Sequence, residues 1–291
     1  MIFFIGAFIV VASVAGGFVM AGGNFGALLH LSELVIIGGA ALGATIIMAP
    51  KKVLVDIGVG VLRVLKGTPY NRKAYEQLFM ALYELFLLGR RNGLIALEEH
   101  LTGPETSAIF QRYSSVLKNK EAVEFLCGAL RPVIDGRVKP DQLRHLLETD
   151  LGRMEEEGQA PISVLGRAAD SMPGFGIVAA VLGIVITMAS IAGPIEQIGE
   201  KVAAALVGTF LGIFLGYGFL SPLSVNMEFN LVARLAYFRC ISSSVVSFAS
   251  GMAPAMAVEI ARRTLGDDLR PGSDELEKML KALNANVAQA K

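Results

Sequence analysis

SMPGFGIVAAVLGIVITMASIAGPIEQIGEKVAAALVGTFLGIFLGYGFLSP, residues 171–222, decides the fold. It reads as two apolar helices, about residues 173–191 and 202–223, joined by a short polar turn. Each is long enough to cross a bilayer, which takes about 20 residues. Neither helix contains Asp, Glu, Lys, Arg or His. Small residues recur at helical spacing: Gly176, Ala180 and Gly183 in the first, Gly208, Gly212 and Gly216 in the second. Such stripes let helix backbones approach closely in lipid. Two hydroxyls, Thr187 and Thr209, lie within the pair. Pro173 opens the first helix and Pro222 stands near the end of the second, so both fall at the same membrane face.

Working outward, the rest of the chain is apolar as well. Only 18% of its 291 residues are charged and the mean hydropathy is +0.56. These values indicate a polytopic membrane protein. Residues 1–50 hold no Lys or Arg, 51–170 hold 17 of the 26, 171–230 hold only Lys201, and 231–291 hold eight. The positive-inside rule therefore places 51–170 and the C-terminal segment in the cytoplasm. The formal net charge of zero gives no sign of nucleic-acid binding.

The expected architecture is all-α with four transmembrane helices. Residues 1–50 carry spans one (about 2–20) and two (about 34–48), with a Gly-rich outer turn near 21–31. Met1 to Gly17 lacks the basic n-region of a signal peptide, so span one is retained. Glu33 stands at the outer mouth of span two, and Lys51-Lys52 mark the inner face. Residues 51–170 form a cytoplasmic helical domain, since Leu78, Leu82, Leu85 and Val123, Leu126, Leu130 keep helical spacing. Breaks are expected at Gly67-Thr68-Pro69, Asn92-Gly93, Gly103-Pro104 and Gly136. Residues 171–224 hold spans three and four. Residues 225–291 continue the fourth helix into the cytoplasm and end in a tail rich in Asp, Lys and Asn, expected to be partly disordered.

Enzyme signatures are missing. The three histidines stand far apart, and no Gly-rich phosphate loop precedes Lys-Ser or Lys-Thr. Cys127 and Cys240 read as buried, inert thiols in a reducing compartment. An ion-moving role remains. Pumps and channels keep the charged groups they need, and here the spans keep none, so the acid must come from a partner helix. The same stripes also serve plain helix packing. Pro173 fits a first-turn proline with Ser171 as cap. Pro222 lies where the helix continues, so it removes a hydrogen bond and disturbs the helix. In GRRNGLIALEEHL, residues 89–101, Arg90-Arg91 precede an Asn-Gly break and Glu98-Glu99 follow it. That pattern suits a charged partner surface and equally a solvated face.

These residues resemble the A subunit of the bacterial flagellar motor stator, the MotA/PomA family, over essentially the full length. The resemblance is carried by GGNFGALLHLSELVIIGGA, RRNGLIALEEHL, PGFGIVAAVLGIV, VGTFLGIFLGYGFLSPL and GMAPAMAVEIARRTL. It implies an inner-membrane channel subunit that turns proton flow into torque for swimming. Five A subunits would surround two MotB-like B subunits, each of which supplies the ion-carrying Asp, and the cytoplasmic domain would push on the rotor switch protein FliG. By this resemblance Pro173 and Pro222 couple ion flow to movement, and Thr209 faces the pore. Arg90 and Glu98 meet FliG, and Asp170 and Glu33 fall at family positions. Sodium-driven relatives carry Thr where Ala180 stands, so H+ is expected rather than Na+, whose hard cation needs oxygen ligands. No cofactor or metal is implied, and both termini are cytoplasmic. The alternative is an ExbB/TolQ-like energiser of an outer-membrane process, a type with three spans; a membrane scaffold without ion flux is a third reading.

Overall fold

The computed structural model describes residues 2–23, 25–28, 30–189 and 191–289. Asn24 and Leu29, in the Gly-rich turn quoted above, and Ser190, in the turn between spans three and four, lie outside them. Most of the described residues are helical, and the chain divides into two compact units, Met1–Gly67 with Glu157–Leu231, and Thr68–Glu156 with Val232–Lys291.

The first unit holds the apolar helices. α1 (Ile2–Met20) has no buried residue in Phe3–Met20 and exposes Phe4, Ile5, Phe8, Ile9 and Val11, the signature of a helix solvated by lipid rather than water. α2 (Leu31–Met48) follows a single 3₁₀ turn at Phe25–Leu28. Pro50 then starts α3 (Lys51–Lys66), as expected of a residue without a backbone N–H at a helix entry. Gly67, at φ 84°, ends it. Four stretches are long and apolar enough to cross a membrane: Phe3–Met20, Leu31–Met48, and windows within the helical stretches Pro140–Met188 and Ile195–Ala249. A small core of Ile37, Ala41, Met172 and Ala179 holds α2 against the central hairpin.

The second unit is built around α4 (Arg72–Asn92). Asn71 caps its start by accepting from the Ala74 N–H at 3.0 Å. One face of α4 is wholly buried through Tyr75, Leu78, Phe79, Leu82, Leu85 and Phe86. Each of these Leu and Phe side chains contributes about 1.5–3 kcal/mol on leaving water. Four helices follow: α5 (Glu98–Thr102), α6 (Ala108–Arg112), α7 (Ser114–Lys118) and α8 (Lys120–Ile134). The expected breaks at residues 67, 93, 103 and 136 are all helix ends, and Gly67, Gly93 and Gly136 take positive φ. Buried Glu84 accepts from Tyr113 Oη at 3.0 Å and pairs with Arg112 at 2.7 Å. Burial, then the Glu84 charge, pushes the Tyr113 phenol well above its ordinary range. Cys127 and Cys240 are buried and unpaired, and burial pushes the Cys127 thiol up to about 11.

Two expectations need correction. The helix that holds the third span does not begin at Pro173. α9 runs from Pro140 to Met188 without a break, and Pro173 lies inside it. Ser171 is no cap: its hydroxyl donates back to the Arg167 carbonyl at 2.8 Å. The hydropathy step near residue 171 marks a change of surroundings, not a helix start. The C-terminal tail is not disordered where described, but forms α13 (Ser273–Gln289), after α10 (Ile195–Leu215), α11 (Ser221–Ala249) and α12 (Pro254–Arg263). Leu276 and Leu280 of α13 are buried. Asn284 donates to Tyr83 Oη at 2.5 Å and Arg72 pairs with Glu275, which fasten α13 to α4. The apolar spacing at 276, 280 and 283 was masked by the polar residues between.

Candidate functional site: the glycine-seamed hairpin

α9 and α10 meet along a glycine seam where the two main chains approach closely. A Cβ on Gly176 would stand 2.8 Å from the Gly208 carbonyl oxygen and 3.2 Å from Gly212 Cα. One on Gly212 would reach 2.6 Å from the Met172 oxygen and 2.9 Å from Gly176 Cα. On Gly208 it would meet Ala179 Cβ at 3.1 Å and Ala180 N at 3.4 Å, and on Gly183 it would meet Ala205 Cβ at 2.9 Å. Real Cβ atoms do not tolerate the shortest of these distances, so the glycines are required by the approach of the two main chains. Ala179, Ala205 and Met172 are part of this seam and did not stand out in the sequence. The signal was present, because Ala179 and Ala205 each stand three residues from a seam glycine.

The seam fixes the level of the polar groups. Ala180 and Gly208 touch, which puts Thr209, the next residue, at the same height; the Thr209 carbonyl lies 3.2 Å from the Cβ position on Gly176. Thr209 is half-buried. The Thr187 hydroxyl donates to the Gly183 carbonyl at 2.8 Å and is consumed by its own helix. Among the described residues the Thr209 hydroxyl makes no such bond, which leaves it available to another ligand. Glu33 belongs to this level too. Its Cγ lies 3.4 Å from the Cβ position on Gly208, and the side chain is only 5% exposed. Ser32 Oγ donates to its carboxylate at 2.5 Å. Glu33 therefore packs against the middle of α10, where it stands third in α2.

The two prolines come together below that level. Pro173 cannot donate to the Ala169 carbonyl four residues back. That carbonyl lies 2.8 Å from the Cβ position on Gly216, and Pro173 Cδ lies 3.5 Å from it. Gly216 thus presents its Cα–H to the orphaned oxygen, a weak but real contact. Gly216 also opens a π-helical turn, Gly216–Leu220, in which the Ser221 N–H donates to the Gly216 carbonyl five residues back. Pro222 follows at once as the second residue of α11. The extra residue in the turn absorbs the missing Pro222 N–H, so the disturbance expected at Pro222 takes the form of a π turn. Asp170 lies exposed on α9 one residue from Ala169.

Arg90 and Glu98 lie in the other unit. Both are exposed, on either side of Gly93, at the end of α4 and the start of α5.

The N-terminal model of motility protein A matches residues 4–93, and the model of the MotA/TolQ/ExbB proton channel family matches residues 117–227. Motility protein A of Salmonella typhimurium is 36% identical over 290 residues, 99% of this chain and 98% of that protein. The chain belongs to the motility protein A family. Another similar protein is the chemotaxis protein LafT of Vibrio parahaemolyticus, 36% identical over 95% of this chain and 97% of its own. The motility protein A fold is also seen in two solved structures. The C. jejuni MotAB structure matches with a TM-score of 0.77 at 22% identity, covering 93% of this chain and 98% of that one. The flagellar MotAB stator complex from Bacillus subtilis matches at 0.74 and 23% identity, covering 94% and 98%. In this chain the first family model ends at Gly93, where α4 stops, and the second takes in the whole hairpin and both prolines.

Proposed function

We propose that this chain is the ion-channel subunit of a flagellar motor stator, which works with a MotB-like B subunit to convert proton flow into torque on the rotor. The observation that carries the reading is the wall at Ala180, Gly208 and Thr209: a backbone-tight seam with an uncommitted hydroxyl, and no Asp, Glu, Lys, Arg or His in the apolar stretches 173–188 and 202–215. Such a wall needs a carboxylate from another chain to pass ions. The exposed apolar stripe Ile177, Val181, Ile184 and Met188 of α9 suits packing against neighbouring helices. In this reading five copies surround two B subunits in the inner membrane, with both termini cytoplasmic, and the B-subunit Asp carries the ion past Thr209. The methyl of Ala180 offers no oxygen ligand, which favours H+ over Na+. Glu33 is an accessory acid on the same wall. Pro173, Pro222 and the π turn between them form the joint that passes movement on, with Asp170 beside it. Arg90 and Glu98 meet the rotor protein FliG.

Deleting the gene should abolish swimming and leave the flagella assembled. Normal swimming of the deletion strain would end the proposal; lost nutrient uptake or envelope integrity with swimming intact would favour the TolQ/ExbB side of the second family model instead. Thr209→Val keeps shape and removes the hydroxyl. It should cut swimming speed and stator proton flux at least several-fold with unchanged membrane level, and Thr209→Ser should restore both.

A further inference from the structure

We propose that the rotor-facing surface has an apolar centre formed by Ile95, Met252 and Met256, with Arg90, Arg91, Glu98 and Glu99 as its charged rim. The proposal rests on the reading of Arg90 and Glu98 as a docking site for the rotor protein, and adds the residues that would supply its affinity.

Three buried groups meet at one point of the second unit. A Cβ on Gly89 would stand 3.0 Å from Leu97 Cδ1 and 3.2 Å from Phe248 Cζ. Phe248 is further held by stacking on Phe86, with ring centroids 4.4 Å apart. Each of the three is followed in the chain by surface groups. Gly89 leads into Arg90 and Arg91, Leu97 into Glu98 and Glu99, and Phe248 into the turn that carries Met252. That turn is fixed by the Gly251 N–H donating to the Phe248 carbonyl at 2.9 Å and the Met252 N–H to the Ser247 carbonyl at 3.2 Å. α12 starts at Pro254 and packs on α4. So segments some 160 residues apart in sequence are anchored at one corner.

What the corner shows to solvent is unusual for a charged, water-facing unit. Ile95 is 76% exposed, Met252 40% and Met256 53%. Ala253 and Ala255 between the methionines are exposed as well. None of the four rim charges forms an ion pair among the described residues, whereas Arg72, Arg112, Arg234 and Arg239 of the same unit all do. Apolar anchors ringed by charges are the anatomy of a protein interface: the centre supplies binding energy, and the rim sets orientation and encounter rate. Methionine suits a contact that must be made and released repeatedly, because its flexible thioether side chain adapts to a moving partner. The occupant is therefore a protein face with an apolar patch between basic and acidic groups, placed opposite Glu98-Glu99 and Arg90-Arg91.

The test uses the full stator complex in swimming cells. A photo-crosslinking side chain is placed singly at Arg90, Ile95, Met252 and Met256, with exposed Leu146 on α9 as control. Adducts with the rotor protein from all four positions and not from Leu146 support the proposal. Adducts from Arg90 alone overturn it and leave the rotor-docking reading standing. The absence of rotor adducts from every position overturns both. Adducts between copies of this chain at Met252 and Met256 overturn it in favour of a subunit interface. In parallel, Ile95→Ser and the double variant Met252→Ser, Met256→Ser should each lower stator occupancy at the motor about ten-fold, as loss of a central anchor does, with proton flux unchanged. Unchanged occupancy in both variants would also overturn it.

Discussion

Gly212 and Glu259 show how single residues set properties that composition conceals. A methyl on Gly212 would sit 2.6 Å from the Met172 carbonyl oxygen, a main-chain atom that cannot swing away. Gly212→Ala should therefore part α9 from α10, at about 1–3 kcal/mol, and lower both the thermal stability of the purified protein and its assembly. Gly199→Ala, with nothing within 4 Å of the new atom, should change neither. Glu259 accepts from Arg262 at 2.7 and 2.8 Å and from Arg263 at 2.8 Å. The hydrogen bonds from Arg262, and then from Arg263, hold its carboxyl at about 2, against an ordinary 4.5. The folded state thus binds this proton less readily than the unfolded chain. The stability it contributes is complete above about pH 4.5 and fades as the pH falls towards about 2. Glu259→Gln should lower the melting temperature at pH 7 by roughly 2–4 °C, for a partly screened pair of about 1 kcal/mol. The difference from the unchanged protein should vanish near pH 2.

At the scale of the element, the important feature is the π turn at Gly216–Leu220, set between two proline sites. π turns inside long helices mark places where the backbone can change register. Pro222→Ala restores a backbone N–H, allows the turn to relax towards a regular α-helix, and so shifts every residue of α11 relative to α10. The expected result is normal insertion, equal or higher thermal stability, and swimming reduced several-fold or more, measured by tracking cells that express the variant at native level. Loss of the protein from the membrane would show instead that Pro222 is needed only for folding. Pro173 was legible in the sequence as important, but its place was not. α9 continues through it because residues 140–172 have a helical pattern of their own, with Leu143, Leu147 and Leu151 buried.

For the whole molecule, the two units divide the work: apolar helices with a close-packed seam in one, a charged helical unit in the other. In the proposed docking on the rotor, torque depends on charges that are exposed and cheap to alter one by one. Arg90→Ala should weaken swimming only mildly, within the ~0.2–1 kcal/mol of a surface charge, because Arg91 adjoins it. The double reversal Arg90→Glu, Glu98→Lys opposes both ends of the pattern and should reduce stator occupancy at the motor much more, without changing proton flux. Counting fluorescent stators per motor separates the two outcomes.

Local sequence alone dictates the four apolar stretches, the helical class, the break points at glycine and the glycines of the seam. Each of these follows from local chemistry: hydropathy over about 20 residues, 3.6-residue spacing, and the freedom of glycine at positive φ. The remaining features arise from packing between distant helices. Glu33 lies against Gly208 because α2 packs on α10, a contact between residues 175 positions apart. Gly216 covers the carbonyl that Pro173 orphans, which no spacing rule encodes. Leu97 and Phe248, some 150 residues apart in the chain, meet because Gly89 leaves room there for both. Such juxtapositions depend on which surfaces of distant helices fit, and that is settled by packing, not by the local run of residues.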